Sequence, residues 1–164
     1  MSTNFTDEQN IAWAKSLPGK LCSACVIIKS GQKVLMVKAN YKNHWTFPGG
    51  IVDQHESPKK AALRETLEEV GLKISDAKPF TIVYTSDSNG YPDRLNFSFI
   101  AELKSEAAVL NVPNNEIDEA KWVNINEIAS IANGRGSYQI FEKYLTNPSL
   151  HQPYVETEHI GDSS

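Results

Sequence analysis

Cysteine is nearly absent from this chain of 164 residues, which has only Cys22 and Cys25, in the run Cys-Ser-Ala-Cys. One such pair cannot staple a fold together. With no second pair and no histidine at ligand spacing, it does not complete a zinc site either. The histidines, His44, His55, His151 and His159, form no ligand pattern. The cysteine pair opens an apolar, β-forming stretch in which residues three apart point to opposite faces, so strand packing is its expected role. Long apolar runs are missing too, as is a basic–apolar–small leader. These absences exclude a spanning helix and make the cytoplasm the default expectation. Basic charge is not in excess: 16 Lys and Arg against 20 Asp and Glu leave a net charge of −4, so no general nucleic-acid binding and no membrane association are expected. What remains is an ordinary globular composition, 40% apolar and 22% charged, long enough for one domain with a real core.

The stretch that stands out runs from Gly50 to Leu72 and is introduced by Trp45-Thr46-Phe47-Pro48-Gly49. Ser57 suits an N-cap, Pro58 the first helical position and Gly71 the C-terminal stop, so a helix is predicted between them. On that helix Glu65, Glu68 and Glu69 share a face, while Leu63, Thr66, Leu67 and Val70 form the expected core stripe. Arg64 sits beside the acidic face, and Glu56 lies on a loop that can fold back toward it. Clustered carboxylates repel one another, and a hard cation such as Mg²⁺ or Mn²⁺ relieves that cost. Taken alone, the three helical glutamates equally describe a solvated surface.

Spacing separates the two readings. Gly50, Glu56, Arg64, Glu65, Glu68, Glu69, Gly71 and Leu72 fit G-x5-E-x7-R-E-U-x-E-E-x-G-U, with U a bulky apolar residue. This resembles the signature of the Nudix hydrolases, Mg²⁺-dependent enzymes that cleave nucleoside diphosphates linked to another group. Thr66 departs from the pattern, standing where the family has Ile, Leu or Val; slightly poorer packing is expected there, not lost chemistry. With Trp45–Gly50 and Glu119–Val123 the resemblance extends over most of residues 20–130.

The resemblance implies an α/β fold, a Nudix-type α/β/α sandwich with a mixed β-sheet. It also implies Glu65, Glu68, Glu69 and Glu56 as metal ligands or their support. Glu68 or a loop glutamate, Glu116 or Glu119, is implied as the base, with Arg64 holding the constellation rigid. Gly49 and Gly50 let the backbone approach a diphosphate. Trp45, for which a core position is the competing role, and Tyr91, in the turn-rich run 86–94 with Asp93 and Arg94, are candidate substrate contacts.

Along the chain, a helix is predicted over 6–16 with Thr6 and Gln9 as a capping box, its Ile11, Ala12 and Trp13 docking on the domain or a partner. Strands are expected over 21–29, 33–38, 45–47, 73–84, 95–103 and 121–123, with helices up to Ile131 and from Ser137. The domain is set at 1–147, including an N-terminal helical extension of about 1–19, and 148–164 is expected to be a loosely ordered tail. A nucleotide-type small molecule is the expected partner, and a homodimer is left open. Two other classes compete: a nucleotide sensor that does not cleave, which usually lacks box glutamates, and an isoprenoid diphosphate isomerase, which needs a cysteine in a context that neither Cys22 nor Cys25 supplies.

Overall fold

The structure is a computed structural model that describes residues 6–86, 92–106 and 116–158. Its elements are α1 (Asp7–Ser16), β1 (Leu21–Ser30), β2 (Lys33–Ala39), β3 (Gly49–Ile51), α2 (Pro58–Val70), β4 (Lys78–Ser86), β5 (Arg94–Glu102), β6 (Ile117–Asn124), α3 (Ile128–Ile131), α4 (Gly136–Thr146) and β7 (Tyr154–Glu158). The strands form one sheet in the order β6-β2-β1-β5-β4-β7, with β3 pairing β1 beside the end of β2. Pairs β1–β5 and β4–β7 run parallel and the others antiparallel, so the sheet is mixed, as the resemblance implies.

Period-two alternation divides β1 and β2 between two cores. Ala24, Val26, Ile28, Leu35 and Val37 pack beneath Ala61, Ala62 and Val70 of α2. Cys25, Ile27, Val34 and Met36 pack on the other face against Ile128 of α3 and Phe141 of α4. That layering is an α/β/α sandwich. It also separates the cysteines: both are free, Cys25 buried and Cys22 half-buried. Burial pushes the Cys25 thiol up to about 12, so it stays protonated in the core.

The ends of α2 are capped as predicted. Ser57 Oγ accepts from the Lys60 N–H at 3.4 Å, Pro58 opens the helix, and Gly71 closes it in the left-handed conformation. Its buried face keeps Thr66 and Val70 of the predicted stripe, with Leu63 packed at its margin, but is rotated away from Leu67. Ala61, Ala62, Thr66, Glu69 and Val70 are buried, while Leu67 is 47% exposed. At about 100° per residue, Glu69, Ala62, Thr66 and Val70 fall within one arc and Leu67 lies outside it. Small residues at 61 and 62 let α2 sit close to the sheet, and one carboxylate goes down with them. Thr66 is fully buried and satisfies its hydroxyl by donating to the Ala62 carbonyl at 2.8 Å.

Other expectations shift. Residues 45–47 supply only a bridge, Thr46 to Val37, and the strand sits on Gly49–Ile51. The strand expected from residue 73 starts at Lys78. Helix α1 has the predicted capping box, yet none of its residues is buried, and Ile11 and Trp13 are exposed and not docked on the domain. Residues 148–158, expected within a loose tail, instead form a 3-10 turn and then β7, which completes the sheet edge beside β4. No helix among the described residues is long and apolar enough to cross a membrane.

Candidate active site

Arg64 organises the acidic cluster. Its Nε and Nη2 donate to both oxygens of Glu56, at 3.0 and 2.9 Å, a bidentate pair. Its Nη1 donates to Glu65 at 2.8 Å and to Glu68 at 3.1 Å, and Nη2 also lies 3.4 Å from the Ile51 carbonyl. One planar guanidinium thus hydrogen-bonds three carboxylates and the end of β3, and its Nη2 lies 3.5 Å from a fourth carboxylate, the exposed Asp53. The glutamates push the Arg64 pKa still higher, and Arg64 in turn holds the Glu56 carboxyl below the usual range.

Glu69 is bound differently. Its Oε2 accepts the Gly49 N–H at 2.8 Å, and the side chain is buried. Burial pushes its pKa up to about 7; the Gly49 N–H pulls the other way, and Glu65 and Glu116 add like-charge repulsion. Lys42, whose own pKa is lowered by burial, is held up by Glu69 and Glu65.

The glycines before α2 make this arrangement possible. A Cβ on Gly49 would collide with the Ala24 carbonyl and with Cys25, both fixed in β1. On Gly50 it would come within 2.5 Å of Glu65 Oε1, the end of a movable side chain. Gly49→Ala is therefore expected to cost at least about 3 kcal/mol, or roughly 10 °C in melting temperature. Gly50→Ala should melt within a few degrees of wild type while displacing Glu65. Thermal unfolding of the two variants, side by side, distinguishes the backbone clash from the side-chain one; equal melting temperatures would contradict it.

Glu65 and Glu69 stand on the wall of a cleft of about 940 Å³ that also takes in Gly49 and Gly50. That is enough for a nucleotide-sized ligand. Lys42 and Arg135 line it from the loops that follow β2 and precede α4. Its floor is the part of the sheet face that α3 and α4 do not cover: Ser23 of β1, Val83 and Thr85 of β4, Arg94 and Asn96 of β5, and Thr157 of β7. Asn96 ties this floor together, donating from Nδ2 to Ser23 Oγ at 3.0 Å and lying 3.7 Å from Cys25 Sγ.

Of the residues singled out in the sequence, Glu56, Arg64, Glu65, Glu68, Glu69, Gly49 and Gly50 come together. Glu68 is half-exposed beside Arg64 and does not line the cleft. Glu119 is an exposed strand residue opposite Lys38, and Glu116 is the loop glutamate that lines the cleft. Trp45 does not line the cleft. It is buried in the α3–α4 core, in the same cluster as Phe47, with the Lys121 ammonium 4.2 Å from its ring centre. Tyr91 lies outside the described residues. Sequence reasoning missed Lys42, Asn96, Thr85 and Thr157. Strand alternation was the available signal for the last three, but it needed the pairing of β4, β5 and β7 to bring them together.

Among the described residues, no three Asp, Glu, His or Cys side chains already stand as a ligand set, since Arg64 draws Glu56, Glu65 and Glu68 toward itself. The donors nevertheless suit a hard divalent cation. They are carboxylate oxygens only, the ligand type that such ions prefer, and Glu65 and Glu69 stand together on the cleft wall.

Comparison with known proteins gives a consistent answer. Residues 20–144 match the NUDIX domain. A putative 8-oxo-dGTP diphosphatase 3 of Mycobacterium tuberculosis is 31% identical over 106 residues, covering 64% of this chain and 48% of that protein. This chain thus spans about half the length of that relative. An RNA pyrophosphohydrolase of Bartonella tribocorum is 30% identical, with 72% of this chain and 83% of that protein covered. Among solved structures, a MutT protein from Bacillus halodurans superposes with a TM-score of 0.66 at 19% identity, covering 88% of this chain and 93% of the other; at that identity it bears on the fold alone. With the family match spanning β1 to α4 and the glutamate helix lying inside it, the chain belongs to the NUDIX domain family.

Proposed function

We propose that the protein hydrolyses a pyrophosphate bond in a nucleoside diphosphate linked to another moiety: a nucleoside triphosphate, a nucleotide sugar or a dinucleotide. One observation carries the reading. A nucleotide-sized cleft has Glu65 and Glu69 on its wall, with the Gly49 N–H bonded to Glu69 and Gly50 leaving room for Glu65. The diphosphatase and the pyrophosphohydrolase among the relatives support it.

Glu65, Glu68 and Glu69 are the residues suited to hold Mg²⁺ or Mn²⁺, with Glu56 supporting them through Arg64. When bound, such an ion lowers the pKa of a water and offsets charge on phosphate oxygens. The chain's own part is positional. Arg64 fixes the carboxylates, the Gly49 N–H orients Glu69, and Lys42 and Arg135 face the substrate's negative charge across the cleft. Water adds across the P–O–P linkage, one phosphorus gaining the new oxygen while the other departs with the bridging one. The proton released passes to a carboxylate. Glu68, Glu116 and Glu119 are the candidates for that role, and of the three Glu116 lines the cleft.

The test is phosphate release, after a coupled phosphatase or pyrophosphatase, across a panel of nucleotides and nucleotide conjugates with Mg²⁺ at roughly millimolar concentration. One or more substrates should be turned over, and chelation should silence them. A flat panel with tight nucleotide binding would replace hydrolysis with sensing.

A further inference from the structure

We infer that β7 is a latch strand of the cleft: hinged at its start, it opens and closes on the edge of β4, and a ligand that fills the cleft holds it shut. The inference rests on the reading of the cleft as a nucleotide site, and it concerns residues outside the family match over 20–144.

The hinge end is firmly held. The His151 ring packs on those of Phe80 and Tyr144, with centres 4.8 and 5.4 Å away, and one of its nitrogens lies 2.7 Å from the Phe80 carbonyl. Thr81 Oγ1 donates to the Gln152 carbonyl at 2.7 Å, and the Ile82 N–H to the Pro153 carbonyl at 2.9 Å. Residues 151–153 are thereby tied to both β4 and α4.

Beyond the hinge the attachment changes in kind. β7 pairs in parallel with β4 from Tyr154 to Glu158, and among the described residues no other strand pairs with it. Of the side chains at 154–157, only Val155 joins a core cluster, and it is half-buried; Tyr154 is 47% exposed and Glu156 is exposed. Little apolar surface therefore holds the strand. What remains is one row of backbone bonds and polar contacts such as the 2.9 Å approach of the Thr85 and Thr157 hydroxyls. Opening exchanges these for bonds to water at small net cost. β4 does not depend on β7, since it stays paired with β5 along its length. The latch can thus open alone, at a fraction of the cost of global unfolding.

Its tip reaches the site. Thr157 is the β7 residue that lines the cleft, beside Thr85 in the register, while Val155, two residues back on the same face, packs on the core. With β7 open, the floor ends at Thr85. A ligand resting on the complete floor binds the closed form better, and that difference in affinity draws the latch shut.

The experiment is amide hydrogen exchange of the full chain, read over residues 7–16, 40–50, 94–102 and 154–158. It is run with Mg²⁺, alone and with the methylene-bridged analogues of the four common nucleoside diphosphates, which resist hydrolysis; calorimetry measures their binding. Without nucleotide, protection over 154–158 should be at least about 10²-fold below that over 94–102. At about 100 times its Kd, an analogue that binds should raise it about 10²-fold. Residues 7–16, none of which lines the cleft, should not change. Equal protection over 154–158 and 94–102 in the free protein overturns the latch. Slowed exchange over 40–50 without slowing over 154–158 overturns the coupling and leaves the nucleotide reading intact. A protein that binds none of the four analogues overturns the nucleotide reading, and the coupling with it.

Discussion

Stripped of divalent ions, the Glu69→Gln protein is expected to be more stable than wild type at pH 8, and with Mg²⁺ supplied it is expected to have lost turnover by a factor of at least about 10². The stability gain follows from the buried carboxylate. In the folded chain burial raises the Glu69 pKa to about 7, while in the unfolded chain it returns to the ordinary carboxylate range. Below that range both states are protonated and folding loses nothing. As pH rises toward 7 the unfolded state releases its proton first, so stability falls, and above 7 the loss levels off. A gap of this size corresponds to about 3 kcal/mol, or some 6 to 10 °C in melting temperature for a chain of this length. Glutamine removes the charge and keeps an oxygen for the Gly49 N–H. Millimolar Mg²⁺ should reverse the order at pH 8 by binding only the folded wild type. Melting curves of both proteins from pH 4 to 9, with and without Mg²⁺, read the effect as a difference, which cancels the titration of every other group. Parallel curves at all pH values would show that Glu69 carries no such penalty.

Arg64→Met is expected to lose about 10²-fold in kcat with little change in KM, and to melt roughly 4 to 8 °C lower. Removing one partner of a buried ion pair costs about 3–5 kcal/mol. Arg64 is 31% exposed, and solvent screening brings the expected loss to about 2 kcal/mol. The catalytic loss has another cause. Without the guanidinium, Glu56 loses both of its charged bonds, and Glu65 and Glu68 lose the contact that aims them. Arg64→Lys should not rescue the rate, because a single ammonium cannot serve Glu56 bidentately and still reach two more carboxylates. A lysine variant with wild-type kcat would show that Arg64 supplies charge rather than geometry.

Much of this site is legible in the chain. The caps of α2 are local, since Ser57, Pro58 and Gly71 each act on neighbours within a turn, and the structure places them as read. The meeting of Arg64 with Glu65 and Glu68 is helical spacing. Only the return of Glu56 needed a loop to fold back.

Tertiary packing decided the rest. Helical spacing places Glu65, Glu68 and Glu69 together as equals, but only docking of α2 on β1 through Ala61 and Ala62 buries Glu69 and leaves Glu68 half-exposed, because burial depends on what covers a face. Glu116 and Glu119 are both plausible in sequence. The shift in the β2–β6 register near Ala39 puts Glu119 on the ladder and leaves Glu116 to the cleft. Trp45 precedes the glycines that line the cleft, yet the core takes its ring. The polar run after residue 148 carries no strong strand signal, and an edge strand needs none when its partner already exists: β4 offers an open row of backbone groups, and β7 fills it. The sequence by itself therefore determined the helix, its ends and its acidic residues, because those depend on contacts a few residues apart. Which carboxylate is buried, which loop glutamate reaches the cleft and what forms its floor were decided by the tertiary structure, because each depends on strands brought together from distant parts of the chain.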